Sequence, residues 1–223
     1  MQDRTKPMNR GGRPRKFDPD DALAKMGRQL WTTGLSGASL DSIARSAGLN
    51  RPSLAAAFGD KDAVYAKAAA QFAAAMDARL SQALELDDLG AALIAAFEAA
   101  IDIYTADGPN GCFVICTAPA DALTNPVCRD ILDQTLTAID ARFRGRLEKQ
   151  RSCKKAELDV LAAQLGATLH SVALRARAGW SRDRLEQLVT ATIRQVVAAC
   201  RDSAVAGSDR IRNRRSSTWS RRQ

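Results

Sequence analysis

Apolar positions along this chain recur every three or four residues instead of alternating, and the first stripe, Leu23, Met26, Leu30 and Trp31, predicts an amphipathic helix packed on a small core. Asp18-Pro19-Asp20-Asp21 supplies its start: a capping carboxylate, a first-turn proline and acids that complement the helix dipole. The helix runs to about Thr33 and stops at Gly34. After Gly34-Leu35-Ser36-Gly37, Ser39 or Asp41 caps a short second helix through Ile43, Ala44 and Ala47, which ends at Gly48 on a left-handed turn. Leu49 points inward, and Asn50 caps a third helix that carries Arg51-Pro52 in its first turn.

From Lys61 onward the same periodicity, cut by clear breakers, predicts six more helices. They span about 61–84, 88–105, 112–123, 125–150, 155–178 and 181–201, with a turn at Asp107-Gly108-Pro109-Asn110-Gly111. The fold class is therefore all-α, about nine helices without an internal repeat. A three-helix unit at 18–64 follows a basic arm at 1–17; a helical domain at 65–202 precedes a basic tail, expected to be disordered, at 203–223. The last two helices carry Leu158, Leu161, Leu165, Leu169, Val172 and Leu174, then Leu185, Leu188, Val189, Ile193, Val196 and Val197. Part of that surface covers its own domain, and helices this rich in Leu and Val also suit a two-fold four-helix interface.

Composition sharpens the picture by exclusion. Of 223 residues, 46% are hydrophobic, enough for a real core, and only 5% are aromatic. No stretch reaches the roughly 18 to 20 apolar residues needed to cross a bilayer, and the opening residues lead into no hydrophobic signal core. A cytoplasmic protein without membrane contact is expected. One histidine, five scattered cysteines without a CxxC pair, and no GxSxG or phosphate-binding glycine loop leave no catalytic constellation, metal site or cofactor site, nor a disulfide scaffold.

The formal charge of +8 directs attention to a polyanion. Arg4, Lys6, Arg10, Arg13, Arg15 and Lys16 crowd the N-terminal arm, where Gly12-Arg13-Pro14-Arg15 is an extended element with two guanidinium groups able to follow a minor groove. It directly precedes the helix–glycine turn–helix. In a helix-turn-helix the N-terminal residues of the second of these two helices enter the major groove, here Asn50, Arg51, Pro52, Ser53, Ala55 and Ala56, with Ser39 at the start of its predecessor. Lys61, at the next helix start, is placed to meet a backbone phosphate. Double-stranded DNA is the expected partner.

The run from Gly12-Arg13-Pro14-Arg15 through Leu40-Asp41-Ser42-Ile43-Ala44-Arg45-Ser46-Ala47-Gly48-Leu49-Asn50-Arg51-Pro52-Ser53-Leu54 to Phe58-Gly59-Asp60-Lys61-Asp62-Ala63-Val64-Tyr65 resembles the DNA-binding domain of the TetR/AcrR family of bacterial repressors. The resemblance covers about the first third of the chain. It implies a homodimer bound to a palindromic operator and released by a small molecule in the C-terminal domain. The chain departs from the family in one respect: Ala55-Ala56-Ala57 stands where members usually carry tyrosine in the recognition helix, which removes a phosphate contact and leaves methyl groups to meet thymine methyls.

For the effector, Phe72, Met76, Phe97, Ile101, Tyr104, Phe113, Leu136, Ile139 and Phe143 lie on successive helices and either line a cavity or fill a core, with Tyr104 and His170 as polar groups. Cys112 and Cys116, four apart, share a helix face. They are either thiols that switch DNA release on oxidation or small hydrophobes in a core. Two other readings stay open: a thiol-based redox or electrophile sensor, and an architectural protein that coats DNA without sequence preference.

Overall fold

A computed structural model describes residues 17–106, 108–150 and 152–219, with side chains described to residue 201. Nine helices lie among the described residues: α1 Pro19–Thr33, α2 Leu40–Ser46, α3 Arg51–Phe58, α4 Lys61–Leu84, α5 Leu89–Tyr104, α6 Phe113–Asp121, α7 Pro126–Glu148, α8 Leu158–Arg177 and α9 Arg182–Trp219. Their starts follow from local chemistry. The side chains of Asp18, Asn50, Asp60, Asp88 and Asn125 each accept a backbone N–H of the first turn, satisfying donors that have no partner inside the helix.

The first three helices close on a small core. Met26, Leu30, Ile43 and Leu54 are fully buried there, and Phe58 packs on Phe17 with ring centroids 6.1 Å apart. Helix α4 carries this unit into the larger domain, since it packs on α1 as well as on α5, α6 and α7. There α7 packs on α8, α5 on both α8 and α9, and α8 on α9. Phe97 and Phe143 stack at 5.7 Å between α5 and α7, each almost wholly buried.

Three features go beyond what local sequence patterns specify. Helix α9 is drawn to Trp219, so it takes in most of the basic stretch from 203, which holds no proline to interrupt it. Cys153, in the α7–α8 connection, forms a disulfide with Cys200 of α9, where isolated cysteines were expected; 47 residues separate the two, and only the fold brings their Cα atoms to 4.1 Å. The apolar stripes of the last two helices face inward: Leu158, Leu161, Leu165, Leu169, Val172, Leu185, Val189, Ile193 and Val196 are all buried within this chain. What α8 presents outward is Val160, 70% exposed, and Leu174, 51% exposed, with Ala163 and Ala167 between them on the same face.

Candidate functional site

The α2–turn–α3 unit is built around Gly48. Its φ of +69° is a conformation that favours glycine, and it lets Leu49 N–H reach back to the Ala44 carbonyl at 2.9 Å. Ser39 and Ser42 form a reciprocal capping box, with Ser39 N–H on Ser42 Oγ and Ser42 N–H on Ser39 Oγ, both at 3.0 Å. Ser39, not Asp41, is the cap. Asn50 Oδ1 accepts the Ser53 N–H at 2.9 Å, which holds the first turn of α3 while the amide NH₂ of Asn50 keeps its donors.

Buried Leu54 and Phe58 anchor α3, so its opposite face points outward. Asn50, Arg51, Pro52, Ala55 and Ala56 are exposed, Ser53 is half-buried, and Ser39 is exposed at the start of α2. One sequence-predicted contact lies elsewhere. The Lys61 ammonium is half-buried and donates to the carbonyls of Leu35 at 2.9 Å and Ala38 at 3.3 Å, closing the α1–α2 linker, so two of its three donors are committed inside the protein. Arg13, Arg15 and Lys16 lie outside the described residues.

Two polar links tie the first three helices to the rest, and a third lies behind them between α4 and α6. Ser36, in the α1–α2 linker, donates from its N–H at 3.2 Å and from its hydroxyl to the buried carboxylate of Asp121 on α6. Arg177 of α8 donates to the carbonyls of Trp31 and Asn110. Tyr65 and Thr117 share a buried hydroxyl–hydroxyl bond of 2.8 Å between α4 and α6, and burial raises the Tyr65 pKa. Neither Asp121 nor Arg177 carried a local sequence signal; each matters only through partners far along the chain.

Beyond that junction, a cavity of about 570 Å³ opens between α4 and α7. Of the residues expected to line one, Phe72, Met76, Tyr104, Cys112, Ile139 and His170 do. Phe97, Ile101 and Phe143 instead fill the core, and Phe113 packs with Tyr65 and Trp31, beside a second cavity at the α1–α4 junction. Leu136 faces solvent, 37% exposed. Cys116 turns toward the Ala173 carbonyl of α8, because Gly111, at φ +85°, brings the chain against that helix. Local periodicity could not make this division, since core and cavity residues sit on the same faces of their helices. The alanines that create the space, Ala66, Ala69, Ala70, Ala73 and Ala74 on α4, leave only one mark in the sequence, their density along that helix.

The lining chemistry is uncharged apart from one internal pair. Burial pushes the Cys112 thiol up to about 12 and raises the Tyr104 hydroxyl well above its ordinary value, and it lowers His170, against a smaller opposing effect of Asp140. A thiol so disfavoured as thiolate is a poor nucleophile, which supports the packing reading of Cys112 over the switch. No group of three metal-ligating side chains occurs among the described residues, and no helix there is long and apolar enough to cross a membrane.

No family model matches the chain. The HTH-type transcriptional repressor ComR of Escherichia coli (strain K12) is 30% identical over 195 residues, covering 82% of this chain and 90% of that protein. Among solved structures, a cysteine mutant of the TetR family transcriptional regulator CifR, complexed with 26-bp double-strand operator DNA, aligns at a TM-score of 0.74 with 25% identity, covering 82% of this chain and 98% of that one. A transcriptional regulator from Rhodococcus sp. Rha1 shares the fold at a TM-score of 0.69 and 24% identity, covering 82% and 97%.

Proposed function

The chain belongs to the TetR/AcrR family of transcriptional regulators, and from that premise we propose that it is a repressor which holds a palindromic operator as a homodimer and lets go when a small molecule enters the α4–α7 cavity. The observation that carries this reading is the outward face of α3. Leu54 and Phe58 fix the helix from beneath, Gly48 sets its angle to α2, and Arg51, Pro52, Ala55 and Ala56 stand clear of the protein at the end that enters a major groove.

On that reading Arg51 and the Asn50 amide probe base edges, Ala55 and Ala56 offer methyl contacts to thymine, and the Ser39 hydroxyl meets a phosphate. The Arg13-Pro14-Arg15 arm with Lys16 follows the minor groove. Lys61 contributes through the N-terminus of α4 and its one uncommitted donor. Two reading helices must sit about 34 Å apart to engage successive turns, which is what dimerisation provides. The outward Val160–Ala163–Ala167–Leu174 face of α8, beside α9, supports a two-fold contact there.

Release runs through α6. Its last residue, Asp121, grips Ser36 beside the reading unit, while its first turn supplies Phe113, Val114 and Ile115, the last two of which line the cavity. A ligand that displaces the start of α6 therefore moves the Ser36 grip. We assign no catalytic activity and no cofactor to the chain, and we place it in the cytoplasm, where a repressor meets its DNA.

Footprinting on the promoter regions flanking the gene tests the reading. A discrete protected palindrome that survives excess random-sequence duplex is expected. Uniform coating of DNA that weakens with salt regardless of sequence would replace the repressor with an architectural role.

A further inference from the structure

The cavity between α4 and α7 has two unlike ends. Tyr104 and Cys112 are nearly fully buried at one, whereas Ala73, Ala74 and Asp77 are exposed at the other. Between them the walls are mainly methyl and hydrocarbon surface; of the polar side chains on α7, Gln134 is exposed and the Thr135 hydroxyl donates to the Ile131 carbonyl. Asp77 and Arg142 at the outer end are joined in an ion pair, and Arg142 also donates to Ser81, so the two charges at that end are matched to each other. At the inner end the polar groups are the Tyr104 hydroxyl, the Cys112 thiol and, on α8, His170.

We propose that this cavity takes an uncharged, mainly hydrocarbon molecule of about ten to twenty non-hydrogen atoms, carrying one hydrogen-bonding oxygen that meets Tyr104 at the buried end, and that it rejects carboxylates of the same shape. The inference rests on the reading of this cavity as the effector site and adds the chemical class of the effector. Three features support it. A buried carboxylate would find no unpaired cation, and removing an ion from water without a partner is costly. Burial keeps Tyr104 and Cys112 protonated and favours neutral His170, so the inner end offers donors and acceptors but no counter-charge. The α4 wall is alanine at five positions, which leaves width for a ring system.

Calorimetry on the full chain with three probes of matched shape tests it: 2-acetonaphthone (neutral, with a carbonyl), 2-naphthoate (anionic) and 2-ethylnaphthalene (no oxygen). The ketone is expected to bind at least tenfold more tightly than the carboxylate. Tyr104→Phe should weaken the ketone about fivefold and leave 2-ethylnaphthalene unchanged, a split that general damage to the fold would not produce. Ala73→Trp, at an exposed position on the cavity wall, should abolish binding of all three while leaving the melting temperature in place. Equal or tighter binding of the carboxylate overturns the proposal, as does failure of both neutral probes to bind up to their solubility limit, or ketone binding that persists in Ala73→Trp. Selective ketone binding that leaves DNA affinity unchanged would uphold the ligand class and refute the effector role of the cavity, which separates the two claims.

Discussion

Ser36 and Asp121, 85 residues apart, meet through two hydrogen bonds in which the Ser36 N–H and hydroxyl both donate to one buried carboxylate. This is a direct polar tie between the linker of the reading unit and α6. Asp121→Ala leaves both donors without their acceptor, and a loss of about 1–3 kcal/mol in unfolding free energy is expected. In a double-mutant cycle with Ser36→Ala, the two changes should fall short of additivity by roughly 1 kcal/mol or more. Additive effects in denaturant titrations would mean that the tie contributes nothing.

Arg51→Ala should weaken operator binding by about 1–3 kcal/mol and leave random-sequence binding almost unchanged, because a base-edge contact carries sequence information and a phosphate contact does not. Fluorescence anisotropy with operator and scrambled duplexes measures both quantities.

Removal of residues 1–15 should act in the opposite manner. It deletes Arg4, Lys6, Arg10, Arg13 and Arg15. Affinity for operator and random duplex should fall together, and the dependence on salt should become shallower by about 0.9 per lost phosphate contact. An unchanged slope would exclude the arm from the DNA interface.

The Cys153–Cys200 disulfide closes a loop across a separation of 47 residues, for which the entropy of the unfolded chain predicts stabilisation of about 4 kcal/mol. Dithiothreitol should therefore lower the melting temperature by several degrees, and Cys153→Ser should melt at the reduced position with no further response to reductant. A melt that stays put while thiol labelling shows both sulfurs freed would contradict this.

His170 supplies a pH dependence. Its pKa is lowered in the folded chain by burial, so the unfolded chain binds the proton more readily. Stability from this group is complete above the ordinary histidine pKa of about 6.5 and is lost as pH falls below it. His170→Gln should flatten the stability profile between about pH 6.5 and 5, as read by urea denaturation across that range; a profile parallel to that of the unaltered chain would remove His170 from the account.

Helix starts, the glycine turn and the outward face of α3 were legible in the sequence because each depends on residues within one or two turns of each other. A capping side chain, a proline in a first turn or a glycine at positive φ acts on its own neighbourhood, so Asp18, Asn50 and Gly48 declare their roles locally. The sequence also carried the family, through a motif confined to the first third of the chain. Tertiary structure alone decided which apolar residues stay packed and which border empty space, since Phe97 and Phe72 carry the same pattern but only Phe72 faces a gap left by small residues on its own helix. It also decided that Lys61 turns inward, that Cys153 finds Cys200, and that Asp121 holds Ser36. These are meetings between distant segments, and their energies depend on distance in space, which periodicity along a chain does not encode.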